Sequence, residues 1–368
     1  MSAEGKTSYI TAPPGLEGVI AGESAICSVD ARSGLMYRGY NIDEIAGRTS
    51  FEEIAWLLLR GELPSGEEQR QMREELSREA ELPDAVVKLL RLLAGSAAPI
   101  DLLRTAVSAV GIFDAEANDN SHDANQRKAI RLIAKVSTLV SSGWRISRGM
   151  EPVAPPPGMG LAERFLYCLN AERPADWQVR ALNTMLALYA EHEFNASTFS
   201  ARVTASTLAD IYSAVTSAIG TLKGALHGGA NEASMSMLRE IKRPEDADAW
   251  VAAHLAKKEK IMGFGHRVYR TGDSRVPVAR RLARELAVRF GEEQLIDTVE
   301  QLEAAMERQK GLYANVDLYA APILHLMGIP SALDVPVFAC ARVAGWCAHV
   351  IEQHDHNRII RPRSLYVG

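Results

Sequence analysis

Apolar residues along this chain recur mostly at three- and four-residue spacing, the period of a helix with one buried face. In Ser50-Phe-Glu-Glu53, Ser50 and Glu53 form a capping box, and Ile54, Leu57 and Leu58 follow on one face. Pro64 stops that segment, Ser65-Gly-Glu-Glu68 opens the next, and Pro83 interrupts the pattern again. Asp84 is then expected to cap Ala-Val-Val-Lys-Leu-Leu-Arg-Leu-Leu, with Gly95 as its C-terminal signal. Pro99-Ile-Asp-Leu-Leu-Arg104 starts another helix. Strand signals are few. Ser24-Ala-Ile-Cys27-Ser-Val-Asp30 and Gly34-Leu-Met-Tyr37-Arg-Gly-Tyr40-Asn-Ile42, joined by a turn at residues 31–34, predict one small N-terminal β-hairpin. The pattern is therefore all-α apart from that hairpin.

Three breaks interrupt the helical pattern. Gly149-Met-Glu-Pro-Val-Ala-Pro-Pro-Pro157-Gly158 reads as a loop inside one domain, because helical patterning resumes unchanged beyond it. Breaks near Lys223-Gly224 and Met327-Gly-Ile-Pro330 predict a division. Residues 1–222 and 331–368 would form a large helical domain, and residues 223–330 a smaller helical one, with a cleft between them. No repeat of fixed period is visible.

Composition narrows the function. The chain has 368 residues, 47% apolar and 24% charged, the profile of an ordinary globular protein. A net charge of −5 leaves no positive excess for releasing counterions from nucleic acid. The N-terminus lacks an apolar core flanked by basic residues, so no secretory leader is expected. No run reaches the about 18 uninterrupted apolar residues of a membrane span. Cys27, Cys168, Cys340 and Cys347 form no CxxC, which predicts buried free thiols in a reducing cytoplasm.

Candidate chemistry concentrates in a few segments. His227 lies in Gly224-Ala-Leu-His227-Gly-Gly-Ala-Asn231, just before an expected helix N-terminus, whose positive end favours a neutral, donating imidazole. A histidine in a Gly-rich turn without a task is the competing reading. His266 follows Gly263-Phe264-Gly265, and Arg267, Arg270 and Arg275 lie close by, which suits an anion. Val268 stands where a dinucleotide fingerprint needs its third glycine. Asp317, between Val316 and Leu318, is expected to be partly buried and so a stronger base; a helix N-cap is the alternative. His192 in Ala190-Glu-His-Glu-Phe-Asn195-Ala-Ser-Thr198 lacks the second histidine of a zinc HExxH and reads as a site wall or a structural histidine. Arg342, on an apolar helix, needs a buried anion unless its head reaches water. His349, His354 and His356 have no metal-site spacing, and no metal is expected. The tail from Arg358 to Gly368 alternates basic and apolar residues and reads either as a frayed end or, from its apolar content, as a segment docking on a partner subunit.

Taken together these segments resemble the citrate synthase family, including 2-methylcitrate synthases, over nearly the whole chain. The likeness also includes Tyr37-Arg-Gly-Tyr-Asn-Ile42, Asn315-Val-Asp317 and Asn357-Arg-Ile-Ile-Arg361-Pro. It implies an all-α homodimer whose large and small domains close over the cleft. It implies condensation of acetyl-CoA with oxaloacetate to citrate and CoA, with no cofactor besides the CoA substrate. By that resemblance Asp317 removes the α-proton, His227 stabilises the enol or enolate, and His266 polarises the oxaloacetate carbonyl and protonates it. His192, Arg275 and Arg342 match oxaloacetate-binding positions, and Arg361 matches an arginine supplied by the partner subunit. Gly263, Phe264 and Gly265 resemble the loop meeting CoA, and Lys310 falls where some relatives bind phosphate.

Some positions depart from the family pattern. Ala225 replaces a proline, Asp273-Ser-Arg275 replaces Asp-Pro-Arg, and Leu318 and Ala320-Ala321 replace Phe and Ser-Gly. The last of these bear on the acyl pocket. Propionyl-CoA as substrate, giving 2-methylcitrate, is therefore the alternative, and a helical scaffold without activity is a third reading.

Overall fold

The structure, a computed structural model, describes residues 10–30, 33–228, 230–265 and 272–368, with the side chains of all of these except 230–233. These residues form sixteen α-helices, a few 3-10 turns and one small sheet. The all-α expectation is met. The predicted hairpin gains a third strand: β1 (Cys27–Asp30), β2 (Gly34–Tyr37) and β3 (Tyr40–Asn41) run antiparallel, with β2 in the centre. Cys27 faces Tyr37, and Tyr37 faces Tyr40 across the two ladders.

Local chemistry sets the helix ends. Ser50 accepts from the Glu53 amide while Glu53 reaches back to the Ser50 amide, and Ser65 and Glu68 repeat the arrangement. Pro99 occupies the first turn of Pro99–Ile112, where its missing N–H costs nothing. At Asp84 the expectation shifts by one residue. The aspartate is the first helical residue of Asp84–Leu93, and Pro83 is the N-cap without a side-chain bond. The helix ends at Leu93 with Ala94 as C-cap, and Gly95 follows directly as the expected C-terminal glycine. Residues 149–158 form the expected loop.

The helix Asp334–Asp355 is the axis of the core. It packs against Phe51–Arg60, His122–Ser147, Asp176–Tyr189, Ala196–Ala205 and Ile211–Leu222. With its preceding 3-10 turn it is long and apolar enough to cross a membrane, but 94% of its apolar window is buried inside the molecule. Its apolarity thus reflects helices on every side. The helices between residues 230 and 326 pack chiefly on one another. All four cysteines are free and buried.

Gly345 marks the tightest point of the axis. A Cβ there would stand 2.1 Å from the Glu191 Oε2 and 2.4 Å from the Ala190 carbonyl oxygen. Both obstacles belong to a buried turn that cannot back away. Gly345→Ala is therefore expected to destabilise the protein by about 2 kcal/mol or more, at the upper part of the overpacking range. Urea unfolding measures this, and a change under about 0.5 kcal/mol would show that the crossing has slack.

Candidate active site

The turn at residues 190–195 brings His192 into the molecule at the end of the helix Asp176–Tyr189. Three groups hold that turn. The Tyr37 hydroxyl, fully buried, lies 2.9 Å from the Ala187 carbonyl and 3.0 Å from that of Glu191, and accepts from the Glu191 amide at 3.2 Å. Arg342 Nε donates to the Tyr189 carbonyl at 2.7 Å. The buried Glu191 carboxyl meets His349 Nε2 at 2.9 Å. Arg202 Nη1 faces His349 Nδ1 at 3.0 Å and can only donate, so His349 carries its proton on Nε2 and donates to Glu191. Arg202 also pairs with Glu352 at 2.7 Å. His192 is thereby mounted, buried, on backbone with several anchors.

Asn195 caps the next helix, Ala196–Ala205, and Ser197 in its first turn supports His227. His227 Nε2 lies 2.8 Å from Ser197 Oγ, which accepts from Trp346 Nε1 at 3.1 Å and lies 2.8 Å from its acceptor Asn195 Oδ1. Phe338 presents its ring edge-on to the imidazole, with centroids 6.4 Å apart. The His227 pKa falls to about 4. Burial is the main cause, and the Arg342 charge adds to it. The helix Ala230–Glu240 begins just beyond, as expected, and burial with the Arg342 charge favours the neutral imidazole.

Asp317 follows different rules. Asn315 is the N-cap of Val316–Leu326, its Oδ1 accepting from the Asp317 amide at 3.1 Å. The cap role read for Asp317 thus belongs to its neighbour, which leaves the Asp317 carboxyl available. Burial raises its pKa to about 6; the Arg275 charge opposes the rise, Asp273 adds to it and Arg342 opposes it. Asp273 explains part of this placement. Its carboxylate accepts from Arg275 Nε at 2.9 Å and Nη2 at 2.7 Å, and from the Val316 amide at 3.1 Å. One buried carboxylate thereby fixes both Arg275 and the start of the Asp317 helix.

Gly263–Gly265 is stitched to the same place. The Gly265 amide donates to Tyr313, the Asn315 amide donates to Gly263, and Asn315 Nδ2 donates to Gly265. Gly263 has φ 81°, and a Cβ there would sit 2.8 Å from Leu318 Cβ, so only glycine lets the loop lie against the Asp317 helix. Phe264 pairs with Ala314 in an isolated bridge.

Arg342 sits between these groups, 1% exposed, its guanidinium 4.8 Å from the Phe338 ring centre. Among the described residues its Nη1 has no hydrogen-bond partner. Burial lowers its pKa and the Glu191 charge offsets this in part. Its charge acts on both His227 and Asp317, which brings the two candidate catalytic groups into one electrostatic field. Arg361 lies on the exposed tail and Lys310 at the exposed end of Glu293–Lys310. His266, with Arg267 and Arg270, lies outside the described residues. His354 turns to Asn125 and not toward His349.

The sequence pattern did not single out Ser197, Trp346, Tyr37 or Asp273 as supports. Ser197 stands inside the Asn195-Ala-Ser-Thr198 run, and Asp273 two residues before Arg275, so proximity to a candidate was the available signal. Tyr37 and Trp346 carried none, because only the fold brings them near.

The family model described as "Citrate synthase, C-terminal domain" matches residues 15–363. The chain is 46% identical over 360 residues to citrate synthase 2 of Bacillus subtilis, covering 98% of this chain and 96% of that relative. It is also 46% identical over 358 residues to the 2-methylcitrate synthase of Mycobacterium tuberculosis, covering 96% and 90% respectively. The structure superposes with a TM-score of 0.90 on citrate synthase from Thermoplasma acidophilum in ternary complex with carboxymethyl coenzyme A and oxaloacetate; identity is 33%, covering 96% of this chain and 95% of that one.

The opposed shifts can be measured directly. In 15N NMR, the His227 ring signals, assigned by their loss in His227→Gln, should stay those of a neutral imidazole down to pH 5 and titrate near 4. A midpoint at the ordinary value of about 6.5 would contradict the buried, positively biased environment.

Proposed function

The chain belongs to the citrate synthase family, and from that premise we propose that it condenses acetyl-CoA with oxaloacetate through Asp317, His227 and His266. It is an acyltransferase of the citrate synthase type. The observation carrying the assignment of roles is the pair of opposite pKa shifts in one field: a carboxyl raised to about 6 and an imidazole lowered to about 4.

Asp317 Oδ takes a proton from the acyl α-carbon, and the electron pair of that C–H bond moves towards the thioester oxygen. A raised pKa makes the carboxylate a better base while leaving it ionised at neutral pH. His227, neutral, donates a hydrogen bond to the oxygen where charge gathers. Donation from Nδ1 requires the tautomer in which Ser197, which also accepts from Trp346, turns its one proton from Asn195 Oδ1, 2.8 Å away, to His227 Nε2. Such a preorganised donor is worth about 2.7–4 kcal/mol. The enolate carbon then forms a bond to the oxaloacetate carbonyl carbon, whose oxygen takes a proton from His266. Water hydrolyses the citryl thioester, releasing citrate and the CoA thiol.

On this reading Arg342, whose Nη1 has no partner among the described residues, and Arg275 receive oxaloacetate carboxylates beside His192. Arg361 of a second subunit completes the site in a homodimer, which suits its place on an exposed tail. Gly263, Phe264 and Gly265 with Lys310 meet CoA across the cleft between residues 223–330 and the remainder. The role is cytoplasmic, in the tricarboxylic acid cycle, and needs no cofactor.

The second reading is 2-methylcitrate synthesis. Ala320-Ala321, one turn beyond Asp317, stand where the family pattern has Ser-Gly, a change that bears on the acyl pocket. One methylene changes discrimination by only about 1–3 kcal/mol. Thiol release with acetyl-CoA and propionyl-CoA, compared as kcat/KM, should favour acetyl-CoA; a clear propionyl preference selects the second reading.

Two further outcomes follow from the roles. Asp317→Ala should abolish turnover while calorimetry still detects oxaloacetate binding; turnover near wild type would remove Asp317 as base. In the wild type, activity needs the ionised base, so kcat/KM for acyl-CoA should fall as pH drops through about 6 and stay level above it on that limb. The neutral His227 adds no acid limb until about pH 4. An acid limb centred near the ordinary carboxylate value of about 4 would contradict the buried base.

A further inference from the structure

Strand β2 touches both elements that hold oxaloacetate in the reading above. Tyr37 pins the His192 turn through the Ala187 and Glu191 carbonyls. Two residues earlier, the Leu35 amide donates to Ser274 Oγ at 3.0 Å, between positions 239 apart in sequence. Ser274 lies between Asp273 and Arg275, the buried ion pair at 2.7 Å. The pairing of β3 covers Met36 and Tyr37 only, so it stops short of Leu35, and the serine supplies the acceptor for that amide. Leu35 is fully buried, which makes the loss of its acceptor costly.

Gly34 allows the approach. It has φ 73°, and a Cβ there would lie 3.0 Å from Ser274 Cβ and 3.3 Å from its Oγ. The resemblance expects proline at position 274, a residue that stiffens a loop through its ring but offers no hydroxyl. This chain has serine there, and the loop is tethered to the hairpin instead.

We propose that Ser274 is a positioning residue: its hydroxyl bond to the Leu35 amide tethers the Arg275 loop to β2. The same strand holds the His192 turn, so β2 sets the spacing between the two oxaloacetate-binding elements. The tether acts on Arg275 through the adjoining peptide and Asp273, and on the acyl-CoA side hardly at all. It rests on the functional reading above.

The test is steady-state kinetics on the full chain. Ser274→Ala should raise KM for oxaloacetate about tenfold, the effect of losing one well-placed hydrogen bond, with KM for acetyl-CoA and kcat within about twofold of wild type. Ser274→Thr, which keeps the hydroxyl, should restore KM to within about threefold of the wild-type value. If Ser274→Ala does not fold, Gly34→Ala carries the test, because it pushes the loop outward and should raise the same KM. An oxaloacetate KM unchanged in the tested variant, or an equal rise for both substrates, overturns the proposal. A wild-type chain that releases no thiol from either acyl-CoA with oxaloacetate would instead sink the functional reading, and this proposal with it.

Discussion

A buried positive charge that is not fully paired among the described residues governs this structure. Arg342 stands on the core axis with almost no exposure, bonded through Nε to a main-chain carbonyl and, among the described residues, without a hydrogen-bond partner at Nη1. Holding an ion in such a place costs several kcal/mol. Its surroundings reduce that cost without cancelling it: the Glu191 charge, the Phe338 ring face and the Tyr189 carbonyl. An anionic substrate carboxylate would complete the set.

The same charge acts on the two acid/base groups, lowering the pKa of each. Burial alone pushes a carboxyl up and an imidazole down. Arg342 deepens the histidine's shift and limits the aspartate's, so near neutrality one is an uncharged donor and the other an ionised base. The division of roles comes first from the burial of each group, with Arg342 adding to the shift of His227 and Arg275, ahead of Arg342, limiting that of Asp317. The position of Arg342 explains why the 190–195 turn is so heavily anchored. A turn that shifted would carry the Tyr189 carbonyl, and with it the guanidinium, away from both groups.

Much of this was legible in the sequence. Helical periodicity, capping boxes and the Pro99 start were local signals, and local chemistry decided them. The segments bearing His227, Asp317, His192 and Arg342 were visible because glycines, apolar neighbours or an unpaired charge on an apolar helix made them unusual. What could not be read was the second layer. Asn315 and Asp317 compete for one cap, and only the backbone geometry decides between them. Trp346 looks like any core aromatic until the fold sets it against Ser197. Tyr37 lies 150 positions from the carbonyl it binds, a separation that no pattern reports. The third strand escaped notice because two residues carry no period.

The most direct test of this account is a crystal structure of the oxaloacetate complex. The account predicts a substrate carboxylate at hydrogen-bond distance, about 2.9 Å, from Arg342 Nη1, with His192 and Arg275 on the same molecule. Oxaloacetate bound elsewhere, with Nη1 of Arg342 still lacking a partner, would contradict it.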